Sequence, residues 1–335
     1  MIDMIETSTY RSVPRKISQL TSFVTPEPDM FVLAHLGIPS LARDDWCLSV
    51  TGMTATPLVL RFDDLAAFPE YRITAFHKCA GNPMKPAEPT PDRVANVVWR
   101  GIRLRDVLAR AGCDSRATHV WADGIDGGSF ESVAVAKYQK DLPIAKALQD
   151  DVLLAFEING APLSAYRGGP VRLVVPGWYG TNSVKWLRAL HLADGRGAGP
   201  FTTLWYNDTD AGGIRRPVWA VAPDSAIVTP AAGERIDAGS LTVRGWSWGE
   251  HDIARVDLSI DGGASWLPAT LSSRTDKSWQ GFSAQLRIDR SGPMQIISRA
   301  TDVRGEVQPM SGARNASVAV EVQIQAGAVS PCGLT

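Results

Sequence analysis

The sequence predicts an α+β domain followed by an immunoglobulin-like β-sandwich, and three observations carry that expectation. A chain of 335 residues exceeds one ordinary core, so two domains are expected, each with its own apolar interior. From Ile227 onward short strand-like runs are broken by turn residues, the punctuation of a sandwich. Before that point helical and strand patterns mix without a regular βαβ cadence, which argues for α+β and against a doubly wound sheet. No G-x-G-x-x-G, Walker loop or sequence repeat interrupts the pattern.

Each element has a local reason. In residues 102–111 the apolar side chains Leu104, Val107, Leu108 and Ala111 fall on a helical period, and Gly112 closes the helix as a C-cap. Residues 152–158 and 171–175 are continuous apolar runs, read as buried strands. Residues 210–223, with Gly212-Gly213 and Pro217, form the natural linker and divide the chain into domains 1–215 and 222–326. Beyond it, strands are expected over 241–248, 253–260, 283–288, 294–300 and 318–324. In the second of these, Ala254, Val256, Leu258 and Ile260 share a packed face while Arg255, Asp257 and Ser259 share a wet one, and Asp261-Gly262-Gly263 supplies a turn with positive φ.

Hydrophobic residues at 44% and charged residues at 21% are globular values. The 34 basic and 35 acidic side chains leave a net charge of -1, which gives no bulk attraction to nucleic acid or an anionic membrane, so neither is expected as a partner. Any anion site is therefore local. Cys47, Cys79, Cys113 and Cys332 form no C-x-x-C pair, which excludes a zinc ribbon or disulfide framework and leaves reduced thiols. Residues 1–20 lack the apolar run of an export signal and no window reaches membrane-span length, so the location expected is cytoplasmic, or periplasmic if a signal was removed.

Chemistry concentrates at Phe76-His77-Lys78-Cys79-Ala80-Gly81-Asn82-Pro83, where a thiol follows an apolar run and precedes small, turn-forming residues. That pattern makes a loop at a strand end, with a soft ligand suited to a redox metal and room for a bulky group at the backbone. Taken alone the signal is weak, because a lone cysteine is more often a small buried hydrophobe.

Cys79-Ala80-Gly81-Asn82 resembles the sulfite oxidase family, and further blocks agree in order. Residues 98–108 (VWRGIRLRDVL), 151–160 (DVLLAFEING), 171–180 (VRLVVPGWYG) and 183–187 (SVKWL) are similar to its first domain, and residues 243–248 and 256–266 to its C-terminal dimerisation domain. The resemblance implies molybdenum held by the dithiolene of one molybdopterin, by oxo groups and by the Cys79 thiolate, with two-electron oxygen-atom transfer as the chemistry. It also implies that Arg172, Lys185, Ser183, Val184 and the neighbouring backbone hold the cofactor. His35 and Asp126 stand where the family places pterin contacts, although composition alone would make His35 a core imidazole and Asp126 a turn residue. Tyr206 is the foremost candidate for the active-site tyrosine, with Tyr179 second; a tyrosine at a domain interface is the competing reading. Trp178, Trp186, Trp246 and Trp248 are assigned to packing.

Several family arginines are absent. Leu33 and Pro83-Met84 replace basic residues, while Arg167, at a family histidine, would restore one charge at the cofactor and substrate, and Arg314 would sit nearby. Losing two or three charge-assisted bonds of about 1.5–3 kcal/mol each weakens the case for a dianion. Sulfite or a related sulfur compound is the expected substrate, and a less anionic sulfur or nitrogen compound is the alternative, for which Leu33 and Met84 would form apolar walls. With no C-x-x-C-H in the chain, electrons are expected to leave to a separate acceptor, a cytochrome, quinone or O2. The second domain implies a homodimer. A cofactor-free binding or assembly protein is the remaining alternative.

Overall fold

The computed structural model describes residues 3–81, 89–209 and 212–325. Two sheets build the first domain. One runs in the order Gln139–Pro143, His119–Gly124, Leu187–Ala193, Cys47–Gly52 and Leu58–Arg61, with Leu187–Ala193 and Cys47–Gly52 parallel and the other pairs antiparallel. The other runs Ala161–Pro162, Leu153–Ile158, Val94–Arg103 and Glu70–Lys78, with Arg172–Val174 also on Leu153–Ile158. A large apolar core joins them, and the helix Leu104–Ala111 buries Leu104, Val107, Leu108 and Ala111 in it. Gly112 adopts the left-handed C-cap at φ 67°. Gly101 permits the tight pairing of Val94–Arg103 with Leu153–Ile158, because a Cβ there would lie 2.1 Å from the Leu154 carbonyl oxygen.

The second domain is a sandwich with its own core. One sheet runs Asp224–Thr229, Gly239–Trp248, Gln280–Ile288 and Thr270–Leu271. Facing it are Arg235–Asp237, Val320–Gln325, Gly292–Asp302, Ile253–Ser259 and Leu267–Pro268. The Gly262 and Gly263 turn has φ 73° and 93°, as expected. The alternation expected in Ile253–Ser259 is broken. A register shift between Ile253 and Arg255 leaves Ala254 exposed, while Asp257 and Ser259 are buried. Arg255 and Arg299 neutralise Asp257, at 2.9 and 3.7 Å, which is how a supposedly wet face is covered.

The two domains meet directly. Trp279 donates from its indole to the Phe23 carbonyl (2.9 Å), Trp246 donates to Leu20 (2.6 Å), and the two rings stack at 4.6 Å. No helix among the described residues is long and apolar enough to cross a membrane.

Candidate active site

The strand Glu70–Lys78 ends at the head of a cavity in the first domain. His35, Cys79, Asp126, Arg167, Arg172, Ser183, Lys185 and Tyr206 all line it, though they come from seven separate stretches of sequence. Val184 does not: its side chain is buried in the apolar core, and its carbonyl accepts the Leu173 N–H at 2.8 Å. Pro83 and Met84 lie outside the described residues. Cys79 is 6% exposed and lines the cavity. The Gly81 N–H points at its Sγ (3.4 Å), and the Arg93 guanidinium stands 3.8 Å from it.

Positive charge dominates one side. Arg172 donates to the carbonyls of Arg167 (2.9 Å) and Ser183 (3.0 Å), stands 5.1 Å from the Trp99 ring, and keeps a buried Nε without a partner. Burial, with Arg167 beside it, lowers the Arg172 pKa to about 9. Lys185 donates to the Leu33 carbonyl at 2.7 Å. Burial and Arg172 hold Lys185 below the ordinary lysine value, and burial raises Asp126, whose carboxyl is the countercharge; the attraction between the two opposes both shifts. Ser183 accepts the Val175 N–H through its hydroxyl (3.0 Å) and so holds the strand that carries Arg172. Arg167 is spent largely within the protein, on Glu27 at 2.5 Å and on the carbonyls of Glu27, Met30 and Phe31.

On the other side His35 Nε2 and the Tyr206 hydroxyl hydrogen-bond at 2.7 Å, in a bed of Phe130 and Phe201. Burial, then Lys185 and Arg11, lower the His35 pKa to about 3, so its ring is neutral, and its Nδ1 is buried without a partner. Tyr206 itself has a left-handed backbone, φ 57°, unusual for an aromatic residue and typical of strained functional positions. Tyr179 is buried outside the cavity lining, beside the second domain.

The sequence does not settle which way His77 and Lys78 point, and it gives no sign of Tyr138 and Thr181. His77 lines the cavity, stacked on Phe31 at 5.8 Å; burial, then Arg172, Lys185 and Arg167, lower its pKa. Lys78 points the opposite way. The Tyr138 hydroxyl donates to the Thr181 carbonyl at 2.7 Å and faces the cavity. Strand alternation from Cys79 could have found His77; nothing in the sequence singles out Tyr138.

Among the described residues no group of three or more His, Cys, Asp or Glu side chains could hold a metal ion, so a metal at Cys79 needs ligands from elsewhere. The orphaned Arg172 Nε and His35 Nδ1, with cations outnumbering acids along the cavity lining, fit an anionic organic group carrying a phosphate.

Known proteins point to the same class. A family model described as the oxidoreductase molybdopterin binding domain matches residues 35–201, and one described as the Mo-co oxidoreductase dimerisation domain matches residues 215–322. Fold and site thus define a molybdopterin-binding oxidoreductase architecture, with molybdenum cofactor as its ligand. The chain belongs to the sulfite oxidase family. It is 33% identical to the mitochondrial sulfite oxidase of Homo sapiens over 86% of this chain and 58% of that protein. It is 31% identical to the sulfite oxidase of Gallus gallus, over 86% and 69%. The crystal structure of the sulfane dehydrogenase SoxCD from Paracoccus pantotrophus superposes with a TM-score of 0.81 at 29% identity, over 96% of this chain and 86% of that one. The chain spans a little over half the length of the mitochondrial relatives.

Proposed function

We propose that this protein oxidises sulfite or a related reduced sulfur compound by two electrons, with Cys79 as the protein ligand to molybdenum and a separate molecule as electron acceptor. The observation that carries the reading is that Cys79 shares one cavity with the cations Arg172 and Lys185 and with His35, Asp126 and Ser183. When bound, the cofactor supplies oxygen-atom transfer and the two-electron redox couple. Arg172 and Lys185 would bind the anionic end of the pterin, Asp126 would compensate Lys185, and Ser183 would fix the Arg172 strand. His35 holds the Tyr206 hydroxyl in place, ready to meet a substrate or oxo oxygen. Arg167, tied to the segment 27–31, orders the cavity wall. The second domain would pair two copies in a homodimer.

A second reading, a less anionic sulfur compound, is favoured by two features. Leu33 stands on the cavity wall, and Arg314 is already neutralised by Asp208 at 2.9 and 2.6 Å. The likeness to a sulfane dehydrogenase agrees with it. The test is molybdenum content of the wild type and Cys79→Ser, with steady-state assays on sulfite and other reduced sulfur compounds using an artificial acceptor. About one molybdenum per wild-type chain and a loss of at least about tenfold in the variant are expected. A metal-replete protein inert to sulfite yet active on another sulfur compound selects the second reading. A metal-free wild type rejects both in favour of a binding protein.

A further inference from the structure

The stretch that runs from the strand Glu70–Lys78 to Cys79 has a side that lines the cavity and a free edge held by the second domain. Its odd-numbered end residues, His77 and Cys79, line the cavity. Its even-numbered residues are gripped by the second domain, one after another. The Thr74 N–H donates to the Asp276 carboxylate (3.0 Å), and the Thr74 carbonyl accepts the Lys277 N–H (3.1 Å). The Phe76 N–H donates to the Lys277 carbonyl at 2.9 Å. Lys78 Nζ lies 3.6 Å from Asp224 Oδ2, and the Ala80 carbonyl accepts from the Arg314 guanidinium. We propose that Asp224 and Arg314 of the second domain act through Lys78 and Ala80 as positioning residues for the Cys79 sulfur, so that the thiol's frame is completed by both domains.

The two contacts flank Cys79 on either side and are themselves held. Asp224 accepts from Gln308 Nε2 (3.0 Å), and Gln308 Oε1 accepts the Ala300 N–H (3.0 Å) and the Ser225 hydroxyl (2.6 Å). Arg314 is fixed by its double bond pattern to Asp208. Lys78 in turn donates to the Thr90 carbonyl at 2.8 Å and thereby ties down the far end of the segment that leaves Cys79. The Lys78 and Asp224 side chains are 2% and 9% exposed. A buried ion pair of this kind adds little net stability over an apolar pair of the same volume, so its geometric effect can be separated from its energetic one. The inference rests on the reading of Cys79 as the metal ligand, but its test does not depend on turnover.

The experiment compares the full-length holoenzyme with Asp224→Asn and with the double variant Lys78→Met/Asp224→Leu, which replaces the pair by apolar side chains and keeps the fold where Asp224→Asn fails to. Site-resolved alkylation by iodoacetamide and amide hydrogen exchange of residues 76–81 are measured, with Cys113 as internal control. The Mo(V) electron paramagnetic resonance spectrum is recorded alongside. Expected are Cys79 alkylation and local exchange faster by about tenfold or more, Cys113 unchanged, a shifted Mo(V) spectrum, and a return toward wild type in Asp224→Glu. A folded double variant with wild-type Cys79 reactivity, exchange and spectrum overturns the proposal. Absence of molybdenum from the wild type overturns the functional reading instead; the thiol and exchange rates then still decide the positioning role.

Discussion

The polar cluster around Gln308 in the sandwich and the cavity of the first domain both bury polar side chains, and they pair them differently. In the sandwich Gln308 uses both ends of its amide, on Asp224, Ala300 and Ser225. At the cavity Arg172 and His35 each keep a buried nitrogen with no partner, and burial, then neighbouring cations, lowers the pKa values of Arg172 and Lys185. A group left unpaired costs about 1–3 kcal/mol; Trp248, Arg299 and Thr301 in the sandwich keep such atoms too, so what sets the cavity apart is that its unpaired nitrogens stand among several cations around open space.

Four measurements sharpen that contrast. The largest effect is expected in the sandwich core: Leu258→Ala, at a fully buried position, should lower unfolding free energy by about 2–5 kcal/mol. A loss under 1 kcal/mol in urea titration would mean that this core is not closed. Next, Gln308→Ala should cost about 1–3 kcal/mol by stranding its partners; an effect of that size with and without cofactor marks it as purely structural at equilibrium.

The third is a pH effect. His35 is neutral when folded, with a pKa of about 3 against 6.5 for the ordinary group, so its contribution is full above pH 6.5 and is lost as pH falls toward 3. Asp224, raised to about 6 by burial, works in the opposite direction between its ordinary carboxylate value and 6, so the informative quantity is a difference between proteins. Between pH 7 and 5 the wild type should lose about 2 kcal/mol more than His35→Gln. Equal losses would remove the buried neutral imidazole from the account.

The smallest stability change is expected at the cavity itself. Lys185→Met removes a crowded cation and one bond to Leu33, and should alter the stability of cofactor-free protein by no more than about 1 kcal/mol, while cofactor retention falls about tenfold or more. A large stability loss with unchanged retention would reverse the comparison drawn above.

The elements themselves were legible wherever one period governed. The helix Leu104–Ala111 and its Gly112 cap, and the strands Leu153–Ile158 and Arg172–Val174, follow from local pattern alone. Ile253–Ser259 did not, because a bulge and two arginines bury residues that alternation assigns to solvent. At the site, blocks shared with a family pointed to side chains that only tertiary folding brings together, such as His35 and Tyr206, 171 positions apart. What those blocks could not convey is direction: Val184 turns into the core, Arg167 spends its donors on the Glu27 carboxylate and on backbone carbonyls, and His77 faces the cavity while Lys78 turns to the other domain.

The stacked pair of Trp246 and Trp279 has a use of its own. Two indoles held parallel within 5° at 4.6 Å, each tethered to the amino-terminal stretch at Leu20 and Phe23, couple their electronic transitions. Both rings belong to the sandwich, so their near-ultraviolet circular dichroism is a built-in gauge of that domain's side of the seam, reporting without any label when the stack itself is lost during denaturation.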